Sequence, residues 1–287
     1  MTNVGAMKHT LQDALKAESP LQILGVLNPF MALIAEDLGY RALYLSGAGV
    51  ANISFGLPDL SVTSLDNVLE EATRITDRTH LPLLVDIDTG WGHELNIQRT
   101  IKKMEKAGVS AVHIEDQHFK KRCGHRPGKI IVPEKEMCDR IKAAVDARDN
   151  HNFAIMARTD AVAVEGLDAA VKRAHAYVKA GADMLFPEAI ENPGDYAKFK
   201  EIGVPILANL TEFGKTPTLG LEELRTIGVA MALYPLTISR VMNRAAYDAM
   251  KELRNEGTQK DLLKKMMTRD ELYEFLDYEK QEIKILT

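Results

Sequence analysis

Cysteine is scarce in this chain: its 287 residues include two, Cys123 and Cys138. Two are too few for a disulfide framework, and they lack the C-x-x-C spacing of a zinc or redox site, so chemistry at either would use a free thiol. No apolar run approaches the ~18 residues that suggest a membrane span. The stretch from Met1 to Ala17 is polar and helix-prone, without the basic start, apolar middle and small-residue cleavage site of a secretory signal. The expectation is a cytoplasmic protein with no membrane partner. Positive charge is not in excess either. A net charge of -5 argues against nucleic acid as a partner, because phosphate binding needs a positive footprint over a whole face. No Pro/Ser/Gly-rich linker divides the chain, and 46% hydrophobic content at this length is enough for a large core.

What the sequence does contain is a repeat. A helical stretch ends in Gly, and a short apolar run follows that stops at a polar residue: Gly39 leads to Ala42–Ser46, Gly108 to Ala111–Glu115, Gly181 to Met184–Glu188. Gly203 and Gly228 precede runs ending at Asn209 and Tyr234. Glycine is the usual residue just past a helix end, where φ is positive. Each unit therefore reads helix, turn, strand. Eight runs qualify: Leu21–Leu27, Ala42–Ser46, Leu83–Asp86, Ala111–Glu115, Ala154–Thr159, Met184–Pro187, Pro205–Ala208 and Val229–Tyr234. They are continuous rather than alternating, as parallel strands covered by helices require. The pattern predicts an α/β fold of the (β/α)8 TIM-barrel type over residues 1–257, with 258–287 as a C-terminal helical extension. Residues Ser46–Asn52 carry only two glycines of G-x-G-x-x-G, with Asn52 in place of the third, too weak a match to carry a dinucleotide.

Active sites of such barrels lie at the C-terminal strand ends. Here the runs end at Asn28, Ser46, Asp86 with Asp88, Glu115 with Asp116, Arg158 with Asp160, Glu188, Asn209 and Tyr234. Any one of these reads as a cap or turn residue. So many carboxylates on one rim would repel one another unless they bind a cation, pair with bases or stay protonated. Asp86 and Asp88, two apart at a strand end, point to a hard ion held by oxygen, Mg²⁺ or Mn²⁺.

The segment Lys120-Lys121-Arg122-Cys123-Gly124-His125-Arg126-Pro127-Gly128-Lys129 lies between the fourth strand and the next helix. A lone cysteine is usually a small buried hydrophobe, which suits Cys138. Cys123 is flanked by Lys121, Arg122 and His125, cations that favour its thiolate, and Gly124 and Gly128 let the loop move over a substrate. Arg158 suits a carboxylate through its planar fork. Arg240 and Arg269, from spacing alone, read as helix-surface charges.

The segment Lys121-Arg122-Cys123-Gly124-His125 resembles the signature of the isocitrate lyase and phosphoenolpyruvate mutase superfamily. The likeness extends over nearly the whole chain through Tyr44–Gly47, Leu57–Leu60, His113–Gln117, Cys123–Pro127, Phe186–Ala189 and Ala208–Gly214. It implies a carbon–carbon lyase that splits 2-methylisocitrate into pyruvate and succinate in propionate breakdown, as a homotetramer with C-terminal helices swapped between subunits. Mg²⁺ would be held through Asp86 and Asp88, with Asp59 and Glu115 as a supporting shell. Ser46, Gly47 and Ala48 would hold one carboxylate, Ala48 standing where relatives often have Gly. Gly124, His125, Arg158, Glu188, Asn209, Leu210, Thr211, Arg240 and Arg269 would complete the substrate site, which reverses the surface reading of the last two. Phe186, Leu233 and Pro235 would form a pocket for the extra methyl. Cys123 would be the proton donor to carbon, and Tyr44, then Glu115, the candidate bases for the substrate hydroxyl. Isocitrate cleavage or oxaloacetate hydrolysis on the same scaffold is the rival within the superfamily, and a non-catalytic dicarboxylate sensor the rival outside it.

Overall fold

The apolar runs become eight parallel strands: β1 (Leu21–Gly25), β2 (Ala42–Leu45), β3 (Leu83–Asp86), β4 (Ala111–Glu115), β5 (Ala154–Thr159), β6 (Met184–Pro187), β7 (Leu207–Asn209) and β8 (Met231–Tyr234). The computed structural model describes residues 9–286. Sheet order is β6-β5-β4-β3-β2-β1-β8-β7. The ring closes between β6 and β7 through a parallel bridge, Leu185 with Ile206, where the Leu185 N–H donates to the Pro205 carbonyl at 3.0 Å. Gly39, Gly108, Gly181, Gly203 and Gly228 all take positive φ after helices, as the repeat predicts.

Alternate strand residues fill the barrel. Leu21, Ile23, Tyr44, Leu84, Met156, Met184, Phe186, Leu207, Met231 and Leu233 belong to one buried cluster, the period of two expected for side chains on one strand face. Leu11 and Ala14 join the same cluster. They come from the helix Leu11–Ala17, whose start is fixed by a capping box in which Thr10 and Asp13 satisfy each other's backbone N–H groups. The helix-prone stretch thus packs onto the barrel core, a role its polarity did not announce. Its first residues, Met1–Lys8, lie outside the described part.

Where strand limits differ from the sequence reading, a local bond explains it. The run from Leu21 ends as a strand at Gly25, and Asn28 serves as an N-cap, its side chain accepting the Met31 N–H at 2.9 Å. Ser46 leaves β2 to cap the short helix Gly47–Gly49, which also absorbs the partial glycine motif. Pro205 has no N–H to give the ladder, so β7 starts later. The Val229 N–H is taken by the Leu224 carbonyl at the end of the preceding helix, so β8 starts at Met231.

The chain forms two compact units, divided between Thr237 and Ile238. The second holds most of the helix Thr237–Glu256, a 3-10 turn at Leu263–Lys265, and helices Arg269–Phe275 and Tyr278–Leu286. Of the apolar tail residues, Leu262 is buried, whereas Leu263 and Met266 are exposed. Among the described residues no helix is long and apolar enough to cross a membrane.

Gly25 is the tightest point of the β1 end. A Cβ there would lie 1.9 Å from the Pro235 carbonyl oxygen, a backbone atom that no rotamer change can move. Overpacking of this kind costs about 1–3 kcal/mol or more, and a domain of this size loses about 2–4 °C per kcal/mol. Gly25→Ala should therefore lower the thermal midpoint by at least about 2 °C at a fixed scan rate. An unchanged midpoint would contradict the packing described.

Candidate active site

The strand register sets the site. Asp86 pairs with His113, Glu115 with Arg158, and Arg158 with Phe186, so the polar ends of β3, β4 and β5 stand side by side on one rim. Arg158 is the hub. Its Nε lies 3.2 Å from Glu115 Oε2 and 3.1 Å from Asp160 Oδ2, and its Nη2 lies 3.2 Å from Glu188 Oε1. The guanidinium carbon sits 5.2 Å from the centre of the Phe186 ring, a cation–π contact on the edge of the predicted methyl pocket. Asn209 Nδ2 donates to Glu188 Oε2 at 3.2 Å, and His125 Nε2 approaches Glu188 Oε1 at 3.4 Å. Glu115, Arg158, Glu188, Asn209 and His125 are therefore one connected group, as the sequence placed them. Phe186 and Leu233 are fully buried in the barrel core beside Tyr44, and the Pro235 carbonyl closes on Gly25. Leu210 is buried and Thr211 half-buried just beyond β7.

The acids next to this hub share too little positive charge. Asp86 accepts the Gly47 N–H at 3.1 Å and the Asp88 N–H at 3.0 Å. Lys121 Nζ lies 2.5 Å from Asp59 Oδ1 and 2.7 Å from Asp88 Oδ1. Six carboxylates (Asp59, Asp86, Asp88, Glu115, Asp160, Glu188) thus share three fixed cations, Lys121, Lys129 and Arg158. Burial raises Asp88 to about 6 against the pull of Lys121, with Asp86 pushing the same way. Burial also holds Glu115 well above the carboxylate range, although Arg158 opposes it. Its Oε1 is buried without a hydrogen-bond partner. An orphaned carboxylate oxygen within an excess of acid fits a hard divalent cation. Among the described residues no three His, Cys, Asp or Glu side chains converge as a complete ligand set, so such an ion would keep waters or substrate oxygens, the habit of Mg²⁺ rather than of a structural zinc.

Tyr44 and His113 form a buried pair. The Tyr44 hydroxyl is 3.0 Å from His113 Nε2, and the rings stack at 5.7 Å. Burial brings His113 down to about 4 despite Asp86 nearby, so the imidazole is neutral. Tyr44 is held well above its usual range by burial and then by Asp86, so it is a phenol. His113 had no role in the sequence reading. Its only signal is a polar residue at an inward position of the run Ala111–Glu115.

The basic loop closes over this floor. Gly124 is pressed so close that a Cβ would lie 2.2 Å from Glu188 Oε1 and 2.5 Å from Arg158 Nη2. Cys123, one residue before it, is exposed and lines an open cavity of about 580 Å³ with Asn52, Pro58, Asp59, Leu60, Arg122 and Arg126. The cations expected beside the thiol are directed elsewhere: Lys121 to Asp59 and Asp88, Arg122 to the Pro127 carbonyl, and His125 to Glu188. His125 Nδ1 accepts the Lys215 N–H at 2.9 Å, which places its own proton on Nε2. Gln117 clasps the loop from below, giving Nε2–H to the Arg122 carbonyl and accepting the Arg122 N–H; nothing in its sequence position marks that.

Of the predicted carboxylate cradle, the Gly47 N–H is occupied by Asp86, and Ser46 Oγ accepts the Gly49 N–H while keeping its own proton to donate. Ala48 is half-buried beside them. Arg240 and Arg269 belong to the second unit, both exposed on their helices. Cys138 is half-buried rather than fully buried, because it lies on the flank of the helix Glu134–Ala147; burial and Glu134 raise its thiol.

Comparison with known proteins agrees with this geometry. The family profile described as phosphoenolpyruvate phosphomutase matches residues 11–254. A 2-methylisocitrate lyase of Shewanella oneidensis is 57% identical over 96% of this chain and 94% of its own length, and one of Bacillus subtilis is 45% identical over 92% and 87%. Among solved structures, a 2,3-dimethylmalate lyase superposes with a TM-score of 0.87 at 33% identity, covering 94% of this chain and 92% of that one.

The Asp88 shift has a measurable consequence. Between its ordinary value of 3.8 and about 6, the folded chain holds a proton that the unfolded chain lacks. This group's stabilisation is therefore full below about pH 4 and is lost as pH rises through about 6. A cation bound there would replace the proton above that range. Added Mg²⁺ should raise the thermal midpoint clearly near pH 7.5 and much less near pH 5. Equal shifts at both values, or none near pH 7.5, would contradict the cation reading.

Proposed function

The chain belongs to the phosphoenolpyruvate phosphomutase family, and from that premise we propose that it is a carbon–carbon lyase cleaving 2-methylisocitrate to pyruvate and succinate in propionate breakdown. The observation that carries the reading is the seating of the Cys123 loop, through Gly124, on the Arg158–Glu188 pair. It brings a thiol-bearing segment onto the buried arginine to which this reading assigns a substrate carboxylate. The relatives named 2-methylisocitrate lyase, similar over nearly their full length, support the substrate.

Mg²⁺, held through Asp86 and Asp88 with Asp59 and Glu115 behind them, would supply Lewis acidity to the substrate's hydroxyl oxygen as it becomes the keto oxygen of pyruvate. Mn²⁺ satisfies the same donor set. The protein's own groups account for the rest. Arg158, Asn209, Thr211, the Leu210 segment and the Ser46 hydroxyl orient the carboxylates, with Gly47 and Ala48 bringing the backbone close. Phe186, Leu233 and Pro235 receive the methyl group, whose fit is worth about 1–3 kcal/mol against isocitrate. A base takes the proton of the tertiary hydroxyl. Of the two candidates, Glu115 has an oxygen without a partner, and a cation at Asp86 and Asp88 would favour the ionised form that a base needs, whereas the Tyr44 hydroxyl is bonded to His113. We therefore place Glu115 first, with Tyr44 orienting the hydroxyl. The C2–C3 bonding pair moves to C3 and gives the succinate enediolate, stabilised by Arg158 and His125 with Glu188 holding both donors in place. Cys123 gives its thiol proton to C3, and the proton taken from the hydroxyl returns through solvent to the thiolate.

The same reading makes the enzyme a cytoplasmic homotetramer that exchanges its C-terminal helices between subunits. Exposed Val241, Met242, Met250 and Leu253 on one helix support a partner surface. Arg240 and Arg269 are assigned to the outer carboxylates of the substrate.

The test is turnover of 2-methylisocitrate, isocitrate and oxaloacetate in turn, with Mg²⁺ and with a chelator, the products (pyruvate, glyoxylate, oxalate and succinate) separated by chromatography. Pyruvate and succinate should appear one for one from 2-methylisocitrate and cease on chelation. Cys123→Ser should lower turnover by at least about a hundredfold while still binding succinate. Tight succinate binding with no turnover of any candidate would mean a dicarboxylate sensor, and glyoxylate from isocitrate or oxalate from oxaloacetate in place of pyruvate would favour the rival activities. Near wild-type turnover by Cys123→Ser would remove the thiol from the mechanism.

A further inference from the structure

Between Arg122 and Ile130 the loop is exposed at most positions, yet Lys129 is buried, with 8% of its surface exposed, as is Gly124. A lysine at such a depth is expensive unless its ammonium is fully engaged. Lys129 Nζ donates to the Gly124 carbonyl at 2.6 Å and to Asp160 Oδ1 at 2.7 Å. The other oxygen of the same carboxylate, Oδ2, accepts Arg158 Nε at 3.1 Å. Asp160 is itself immobilised, since its N–H donates to Asp116 Oδ1 at 2.9 Å. Asp116 Oδ2 in turn accepts the Thr159 hydroxyl at 2.7 Å and the Tyr177 hydroxyl at 2.9 Å.

These bonds, with one close packing contact, close a ring. It runs from Gly124 through Lys129, Asp160, Arg158 and Glu188 back to Gly124, whose missing side chain leaves the room Glu188 and Arg158 occupy. We propose that Lys129 is a positioning residue, tying the Cys123–His125 segment to the fixed Asp160 carboxylate and so holding the thiol in register with the Arg158 pocket. The Lys129 ammonium is engaged by the Gly124 carbonyl and Asp160. It acts through the Gly124 carbonyl, one residue from Cys123, and the catalytic consequence rests on the lyase reading above. Without it the Gly124 carbonyl loses a charged donor, and the loop is free to settle away from the pocket. A misplacement of about 1 Å costs up to about a hundredfold in rate, while binding of the substrate carboxylates at Arg158 is largely spared.

The test uses Lys129→Met, which keeps the buried stem and removes the charge, with Asp160 still paired to Arg158. Trypsin cleavage after Arg122, followed by mass spectrometry well below the thermal midpoint, reads loop seating independently of any activity. Cleavage should accelerate at least tenfold relative to wild type, with no matching gain at sites on the barrel helices. With 2-methylisocitrate, kcat should fall at least tenfold and KM change less than threefold. Lys129→Gln, which keeps one donor for the Gly124 carbonyl, should recover part of the protection. It also carries the same readouts, with the same signs, should Lys129→Met not fold. Wild-type protection and kcat in both variants would overturn the proposal, as would cleavage rising equally everywhere, the mark of general destabilisation. If no candidate substrate is cleaved by the wild type, the lyase reading fails while the proteolysis result still decides the loop tie.

Discussion

A single buried guanidinium organises this protein's site. Arg158 lies at the end of β5 within 3.2 Å of carboxylate oxygens from Glu115, Asp160 and Glu188, each on a different strand end or the turn after it. Burying such a cluster is not an efficient route to stability, because desolvation of each ion offsets most of the attraction, and removing one partner costs about 3–5 kcal/mol. The barrel core, filled by apolar and aromatic side chains from all eight strands, provides the stability that lets this group persist. On the proposed reading the arrangement serves binding, of a substrate with several carboxylates alongside a cation.

Every other part of the site is placed relative to that guanidinium. Asp160 links it to Lys129 and the loop, and Glu188 links it to Asn209 and His125. Glu115 links it to the acid group around Asp86 and Asp88, where Lys121 supplies positive charge from the same loop that carries Cys123. The loop is therefore attached at both ends of its catalytic segment, by Lys121 on the acid side and by Lys129 on the arginine side. Gly124 between them is the one residue whose lack of a side chain the close approach demands.

Much of this was legible in the sequence because it rests on short-range rules. Continuous apolar runs after helix-ending glycines give parallel strands, and polar residues at their ends give the rim. The residues Asp86, Glu115, Arg158, Glu188 and Asn209 are found together for that reason. What was not legible is pairing across long stretches of chain. Lys121 meets Asp59 over 62 residues and Tyr177 meets Asp116 over 61, separations that no periodicity encodes. The cations around Cys123 illustrate the limit: adjacency in sequence placed them beside the thiol, but their ends reach the acid cluster, a loop carbonyl and Glu188. The packing of the helix Leu11–Ala17 onto the core was equally hidden, since its two core residues are too few to form a recognisable face.

The central claim is that the Arg158 fork, and not merely a positive charge at that position, organises carboxylate binding and cleavage. The direct measurement is kcat/KM of Arg158→Lys for 2-methylisocitrate, taken with a circular dichroism spectrum to establish that the barrel is intact. A lysine keeps the charge but cannot span Glu115, Asp160 and Glu188 at once. A fall of at least about a hundredfold, roughly 2.7 kcal/mol of lost transition-state stabilisation, is predicted for a folded variant. A folded Arg158→Lys protein within about threefold of wild type would contradict the account.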